Sequence, residues 1–386
     1  MLRSIVRRTA ATPAPQRTAA HQRSRTIFGS AAVSGAVALI TSVLKPIGFG
    51  YAVVSLTALA AQRKLQYFPS AEAVDHPRLM HPMFAEIEEH EVRSVDGTKC
   101  LLWHWPAPAR DAPPIDPWYL GDQATSVGRV MASLRREHSL SNVDVLQFHG
   151  NAGSRVHRLA FMHLMREGLG CSVTVLDYRG YGGSEGSPTE RGLIMDGRAA
   201  YDWLRARQQQ RPPRSPTSTP SSAALPRNRR HVVLWGESIG SGVAVALLEE
   251  EVTKLARRAP PDTSLVLEAG FTSCVDLGAH AYPWLPVRLG MLDRFDSAAR
   301  AKRMAALLGE DGERSFASLS LHGELDEIAP LQYGEGLHAA LPGGKHKRLV
   351  VLPRTGHNDV QFVDPPRYLR EVASFLSEEV VPRSIA

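Results

Sequence analysis

The stretch HVVLWGESIGSG, residues 231–242, decides the fold of this chain. The apolar run at residues 232–235 predicts a buried strand, and the aliphatic run at residues 243–248 predicts a buried helix. The turn between them has the pattern G-x-S-x-G, with glycines where the backbone must fold tightly. Strand, tight turn and helix in this order are typical of a nucleophile elbow. The alternative interpretation is a glycine-rich turn that carries no chemistry.

The serine of this turn is Ser238. An elbow places it at the tip of a parallel sheet and at the start of a helix, where backbone N–H groups favour the negative charge that develops in acyl transfer. A predicted strand at residues 143–148 runs directly into His-Gly-Asn-Ala-Gly. An oxyanion hole takes one N–H from such a loop and one from the residue after the serine. We assign these to Asn151 and Ile239; an ordinary β-to-α turn is the alternative.

A nucleophilic serine needs a histidine base and a carboxylate that orients the base, in the chain order Ser, acid, His. A predicted strand at residues 316–321 is followed by His-Gly-Glu-Leu-Asp-Glu, which indicates Asp326 as the acid. The last predicted strand, residues 347–352, is followed by Pro-Arg-Thr-Gly-His, which indicates His357 as the base. Three residues in the expected order after the expected strands are more specific than any one motif.

Nearby carboxylates compete for the same role. Glu324 and Glu327 flank Asp326 and stay open as rival acids. Asp359 follows the histidine too closely to be preferred.

The rest of the body alternates between strand and helix patterns, which predicts an α/β fold with a mostly parallel sheet and helices on both faces. Further strands are predicted at residues 84–92, 99–105, 171–176 and 264–268, and helices at 125–136, 154–167 and 189–207. Two stretches resemble insertions: residues 107–141, and residues 208–230, whose Pro- and Ser-rich composition predicts disorder.

Two further segments lie near the predicted site. Residues 177–186 form a glycine-bearing loop without the ending of a P-loop; Arg179 in this loop has Asp177 and Glu185 as candidate partners. Residues 271–304 depart from the α/β alternation and carry aromatic residues and prolines, which suits a lid for an acyl chain or a membrane; ordinary cap packing is the alternative.

The N-terminal segment, residues 1–28, holds six arginines and no acidic residue. This composition is typical of a mitochondrial transit peptide, although Pro13 and Pro15 interrupt the helix that such a peptide forms. A disordered basic tail beside a membrane anchor is the alternative, and both interpretations stay open.

The next segment, residues 29–62, is predicted to be a membrane anchor. Residues 31–44 and 49–61 are apolar, but neither run alone reaches the roughly 20 residues that a spanning helix needs. Joined and kinked at Pro46, or with Lys45 reaching the interface, they span once. A hairpin of two short helices within residues 31–61 is the alternative.

The orientation and compartment of this membrane protein stay undecided. The six N-terminal arginines outweigh Arg63 and Lys64, which favours an N-terminus on the inner side. No asparagine lies in an N-x-S/T sequon, so glycosylation gains no support. Mitochondrial and endomembrane locations both remain possible.

Charge and cysteine content exclude other classes of function. Residues 1–71 hold nine of the 45 basic residues and no acidic residue, so residues 72–386 hold 36 basic against 39 acidic residues. The catalytic body, predicted at residues 63–386, is therefore slightly acidic, and nucleic-acid binding is not expected. Cys100, Cys171 and Cys274 lack metal-ligand spacing and are expected to be reduced packing residues. No cofactor or metal is expected, and the oligomeric state is open.

The motifs together resemble the α/β-hydrolase-domain proteins of the bud-emergence type, which are membrane-anchored serine hydrolases related to acyl-protein depalmitoylases. The resemblance covers roughly residues 62–379 and is carried by QRKLQYFPS at 62, HGNAG at 149, DYRGYGGSEG at 177, GESIG at 236, FTS at 271, PWLPVR and DRFDS within 283–297, HGELDEIAP at 322 and GHND at 356. It implies the α/β-hydrolase fold with a small lid and the triad Ser238, Asp326 and His357.

We therefore expect a serine hydrolase that cleaves an ester or thioester of an acyl lipid or acylated protein, with membrane lipid as its surroundings. A weaker resemblance to prolyl-oligopeptidase-like enzymes makes a serine peptidase the nearest alternative. A catalytically silent membrane scaffold is the alternative of another class.

Overall fold

The computed structural model describes residues 34–35, 37–109, 112, 114–138, 140–210, 230–255, 262–309 and 316–381. The basic segment at residues 1–28 and most of the predicted insertion at 208–230 lie outside these residues. The chain divides into two compact units, Met1–Ala60 and Ala61–Ala386.

An eight-stranded sheet forms the centre of the larger unit. Its strands, numbered β1 to β8 along the chain, are Glu88–Arg93, Lys99–Trp105, Val143–Phe148, Ser172–Asp177, His231–Glu237, Thr263–Glu268, Ser318–Gly323 and Lys347–Leu352. The spatial order is β8-β7-β6-β5-β3-β4-β2-β1. Within this sheet β2 alone runs opposite to the other strands and pairs antiparallel with both β1 and β4, so the predicted α/β architecture with a mostly parallel sheet is confirmed.

The central strands are buried along their length because helices cover both faces of the sheet. Successive side chains point to opposite faces, so neighbouring residues enter different cores. In β5, Leu234 packs into one core and Val233 into the other. This two-sided burial explains why the central strands are apolar runs rather than alternating patterns.

The helices, numbered α1 to α10 along the chain, are Lys45–Gln66, Ala124–Glu137, Leu159–His163, Glu190–Gln210, Ile239–Lys254, Cys274–Ala281, Val287–Gly290, Ser297–Leu308, Leu331–Ala340 and Pro365–Phe375. Helices α4, α5, α8 and α9 contribute to one core, and α2, α3 and α10 to the other. Wider π-type turns precede α1 and extend α3 and α10.

One predicted strand begins later in the structure than in the prediction. The strand expected to begin at residue 84 begins at Glu88, because Pro82–Phe84 forms a 3₁₀ turn with proline at its start. The stretch at residues 107–141 carries the predicted helix, α2, and this helix buries Val127 and Met131 in the core beside α10. It is therefore an integral part of the domain.

Helix α1 and the turn before it form a single apolar helix, Val37–Gln66, which by length and composition is able to cross a membrane. Its side chains within residues 45–60 are mostly exposed, as expected of a helix in contact with lipid. The helix continues through Lys45 and Pro46, because the π-type turn Ile40–Leu44 precedes the proline. The hairpin of two short helices is therefore not formed.

The segment predicted as a lid, residues 271–304, contains the short helices α6 and α7 and the first turns of α8, which begins at Ser297. Helix α8 buries Ala301 and Met304 in the core and packs as an ordinary covering helix.

Candidate active site

Ser238 lies between β5 and α5, at the sharp turn that the sequence predicts. Its backbone has φ 52° and ψ −119°, a left-handed conformation that is strained for a non-glycine residue. The flanking glycines permit the turn, since a Cβ at Gly240 would overlap the carbonyl oxygen of Phe148. The Ser238 N–H donates a 2.8 Å hydrogen bond to the carbonyl oxygen of Glu268, which fixes the elbow to β6.

The three residues proposed as a triad meet at the carboxyl ends of their strands. His357 Nε2 lies 3.0 Å from Ser238 Oγ, a distance that lets the hydroxyl donate to the ring. His357 Nδ1 lies 2.8 Å and 2.9 Å from the two carboxylate oxygens of Asp326. The geometry matches that of a nucleophile, a general base and a carboxylate that orients the base.

The Asp326 carboxylate is buried but well supplied with donors. Burial raises its pKa, whereas hydrogen bonds from His322, His357 and the Ala329 N–H lower it by more, so the Asp326 pKa lies well below its usual range. The Ala329 N–H donates at 2.7 Å and the Ile328 N–H at 3.0 Å. Asp326 is therefore held as an anion in one orientation.

The rival carboxylates have other partners. Glu324 accepts from the Arg354 N–H at 3.2 Å, and Asp359 accepts from the Gly356 N–H at 2.6 Å, which shapes the turn that carries the histidine. Glu327 lies in the loop after β7 and approaches the loop that carries His357: a Cβ placed on Gly356 would lie 3.2 Å from a Glu327 carboxylate oxygen. Asp326 is the carboxylate that contacts the ring of His357.

The loop after β3 lies beside the elbow, as the sequence predicts for an oxyanion loop. A Cβ placed on Gly150 would lie 3.6 Å from Ser238 Cβ. Within the described part of the chain, the N–H groups of Asn151 and Ile239 donate to no other protein group. Asn151 is fixed through its other atoms: its side chain donates to the Gln66 carbonyl at 3.0 Å, and its carbonyl accepts from the Phe68 N–H at 2.9 Å.

A group of charged residues beneath the elbow was not predicted from the sequence. Arg158 binds Glu237, the residue before Ser238, through two hydrogen bonds of 2.7 Å. Glu268 is buried on β6 and accepts from Tyr368 at 3.0 Å and Trp235 at 3.3 Å. Burial, together with nearby Glu237, raises the Glu268 pKa to about 8. The only sequence signal was an acidic residue at the end of each of two predicted apolar strands.

The prediction for Arg179 is wrong. The guanidinium binds Asp196 on α4 and Asp96 in the β1–β2 turn, not Asp177 or Glu185. The Asp177 carboxylate instead accepts hydrogen bonds from the backbone N–H and the guanidinium of Arg155. Burial lowers the Arg179 pKa, but the two carboxylates raise it by more. The loop at residues 177–186 is thus held by ion pairs and serves as packing, as expected.

The cysteine prediction is confirmed: Cys100, Cys171 and Cys274 are free and buried. Burial raises the pKa of Cys171 to about 12, and the other two pKa values are raised as well. Among the described residues, no group of three or more His, Cys, Asp or Glu side chains is arranged to hold a metal ion.

Comparison with solved structures identifies the fold. The esterase Pf2001 of Pyrococcus furiosus superposes with a TM-score of 0.50 over 81% of this chain and 99% of the esterase, at 16% identity. An α-beta hydrolase from Vibrio vulnificus superposes with a TM-score of 0.50 over 78% of this chain and 86% of that protein, at 15% identity. These similarities show the fold, which is that of the α/β hydrolases.

Comparison with curated proteins narrows the class. An uncharacterized protein of Mycobacterium tuberculosis, Rv2307c, is 32% identical over 339 residues, which is 85% of this chain and 95% of that protein. The bem46 protein of Schizosaccharomyces pombe is 30% identical over a region that covers 64% of this chain and 71% of the bem46 protein. The lysophosphatidylserine lipase ABHD12 of Macaca fascicularis is 29% identical over 60% of this chain, which spans only 56% of the lipase. No protein-family model matches the chain.

The fold and the elbow thus define a serine hydrolase of the α/β-hydrolase class. Within that class, the chain belongs to the bem46/ABHD12 family. The resemblance carried by the sequence motifs is confirmed, and so is the assignment of the chain as an ester-hydrolysing enzyme.

Proposed function

We propose that this hydrolase cleaves the ester or thioester bond of a long acyl chain at a membrane surface, with Ser238, His357 and Asp326 as its triad. The observation that carries the proposal is the continuous hydrogen-bonded series from Ser238 Oγ through both ring nitrogens of His357 to Asp326. Such a series activates a serine, which is otherwise a weak nucleophile.

In the first half-reaction, Ser238 Oγ attacks the acyl carbonyl while His357 Nε2 takes its proton. The carbonyl oxygen becomes an oxyanion, and the N–H groups of Asn151 and Ile239 are the donors that we assign to it. His357 then gives the proton to the leaving oxygen or sulfur. The products of this step are an acyl-serine and the free alcohol or thiol.

In the second half-reaction, water enters where the leaving group departed. His357 Nε2 takes a proton from the water, which attacks the acyl carbonyl. The bond between the acyl carbon and Ser238 Oγ then breaks, Ser238 Oγ takes the proton from His357, and the free fatty acid leaves. Asp326 acts in both halves, because its contact with Nδ1 leaves Nε2 free to accept a proton and stabilises the imidazolium that forms. All the groups required belong to this chain.

The substrate class that we propose is a single-chain acyl phospholipid. A relative named lysophosphatidylserine lipase supports it, as does the lid, whose exposed side chains include Trp284 and Leu289. Serine peptidase activity finds no comparable support. An acyl-protein thioester places the same carbonyl beside the serine, so the choice of leaving group is left to experiment.

We also propose that the helix Val37–Gln66 attaches the protein to a membrane, as its length and apolar composition allow. The anchor would occupy residues 29–62, followed by the hydrolase domain at 63–386. A mitochondrial import signal and a basic tail both suit residues 1–28. Fractionation of cells that express the full chain with a C-terminal tag, and the same chain without residues 1–28, separates mitochondrial from endomembrane residence.

Labelling with a fluorophosphonate probe tests the mechanism. The full chain in detergent is compared with Ser238→Ala and His357→Ala, and labelling is expected only in the wild type. A matched control is Ser241→Ala, because Ser241 lies one helical turn further along α5. A folded wild type that is not labelled would contradict the hydrolase mechanism and support the scaffold alternative.

Chain-resolved substrate profiling tests the substrate class. Lysophospholipids, diacyl phospholipids, palmitoylated peptides and unmodified peptides are offered to the wild type and to Ser238→Ala. Release of fatty acid from lysophospholipids, abolished in the variant, is the expected result. Cleavage of unmodified peptides in preference to all acyl substrates would support the peptidase alternative.

A further inference from the structure

The last turns of α1 are bound to the lid. Gln62 accepts from the Leu292 N–H at 2.7 Å, and Arg63 Nε donates to the Asp293 carboxylate at 2.8 Å. Gln66 donates to the Asp293 carbonyl oxygen at 2.9 Å. The Asp293 side chain is buried, so its ion pair with Arg63 holds the lid against the end of the helix.

The same helix end is bound to the oxyanion loop. The Gln66 carbonyl accepts from the Asn151 side chain, and Phe68–Pro69 pairs in parallel with Ala152–Gly153. The end of the apolar helix, the lid and the oxyanion loop therefore form one connected group. A membrane around the apolar helix would begin within a few residues of this group.

The lid presents apolar side chains to the outside at its tip. Tyr282, Trp284, Leu289 and Leu292 are all more than half exposed, and Leu289 is 91% exposed. Tyrosine and tryptophan prefer the interface between lipid and water, and leucine prefers the acyl region. Arg288 lies among them with its side chain 68% exposed, and it donates a 3.2 Å hydrogen bond to Asp276.

We propose that the lid tip, defined as Tyr282, Trp284, Leu289 and Leu292, inserts into the membrane surface beside the anchor. The proposal rests on the proposed membrane attachment and is independent of the reaction that the site performs. Its occupant is a lipid bilayer, because the lid is hydrogen-bonded to the end of the one described helix that is able to span a membrane. An acyl chain would then pass from the bilayer under the lid to Ser238.

A labelled cysteine in the lid tests this proposal. The full chain with Leu289→Cys carries an environment-sensitive fluorophore and is reconstituted into phosphatidylcholine–phosphatidylserine vesicles that contain spin-labelled acyl chains. The three native cysteines are buried, so the introduced one reacts selectively, and unsubstituted protein serves as the blank.

The matched control is Leu255→Cys. Leu255 is an exposed leucine directly after α5, and the 16 residues of α5 lead from Ser238 to the opposite edge of the sheet, about 24 Å away. That distance exceeds the roughly 5–10 Å to which interfacial side chains enter the bilayer. Quenching about threefold or more stronger at position 289 than at position 255 is expected for an inserted tip.

Each result decides between the proposals. Equal quenching at the two positions, in protein that floats with the vesicles, overturns the lid insertion and leaves the anchor standing. Protein that does not float overturns both, since an inserted lid would itself retain the chain. Strong quenching without hydrolysis of any ester overturns the proposed reaction alone. If Leu289→Cys does not hydrolyse a soluble short-chain ester like the wild type, Leu292→Cys provides the same measurement.

Discussion

Arg158 donates 2.7 Å hydrogen bonds to both carboxylate oxygens of Glu237, which joins the turn that follows the loop after β3 to the residue immediately before Ser238. A Cβ on Gly150 would approach the same carboxylate to 3.1 Å, so the loop closes directly over this ion pair. The loop at residues 149–153 follows β3, whereas the elbow at Ser238 connects β5 to α5, so the two parts of the candidate site come from different βα connections. This ion pair is one of the contacts that set their spacing.

Arg158→Met is expected to weaken the site and the fold together. The loss of two charge-assisted hydrogen bonds costs about 2 kcal/mol of stability and leaves Glu237 with a longer bond from Gln147. The melting temperature in detergent and the rate of fluorophosphonate labelling should both fall. Arg303→Met serves as the control, because its partner Glu249 keeps Arg300 and the pair is more exposed. An unchanged labelling rate in Arg158→Met would show that the pair does not position the site.

Asp326→Asn should lower kcat by about 10⁴-fold with little effect on folding, because the amide no longer holds His357 in the tautomer that accepts the serine proton. Hydrolysis of a soluble short-chain ester measures this. Glu327→Gln removes a neighbouring carboxylate that does not contact His357 and should retain wild-type turnover. A larger loss in Glu327→Gln than in Asp326→Asn would reassign the acid.

Glu268 should make stability fall as the pH rises. Its pKa is about 8 in the folded protein against an ordinary 4.5, so unfolding releases a proton between these values and a rising pH favours the unfolded chain. Glu268→Gln removes this dependence, which amounts to at most about 4 kcal/mol between pH 5 and pH 8. The variant should therefore gain melting temperature relative to the wild type from pH 5 to pH 8. A constant difference would show that Glu268 is already ionised at pH 5.

Asn151→Ala should lower kcat by about 10- to 100-fold and leave KM almost unchanged, because a small displacement of an oxyanion donor is costly in the transition state. The side chain that is lost holds the loop to the Gln66 carbonyl. Tyr181→Phe removes a hydrogen bond to the Asn151 carbonyl, which still accepts from the Phe68 N–H, so a smaller effect is expected there. A raised KM with unchanged kcat would point to substrate binding instead.

The elements that the sequence predicted well are those with a local signal. The strands β2, β3 and β8 begin and end at the predicted residues, and the ends of the remaining strands of the sheet are displaced by a few residues at most. Continuous apolar runs bounded by glycine and polar residues identify buried strands, and G-x-S-x-G places the elbow between one such strand and its helix. The apolar helix before residue 67 was equally evident from composition.

The sequence by itself determined the class of fold and predicted Ser238, Asp326 and His357 as the triad, since each prediction depends on spacing within one strand and the turn that follows it. Only the tertiary structure put Asp326, rather than Glu324, in contact with His357, gave Arg179 the partners Asp96 and Asp196, and joined Arg158 to Glu237. These pairs join residues that parallel crossovers bring from distant parts of the chain. A side chain's partner across such a distance depends on the packing of all the elements between, which no local pattern encodes.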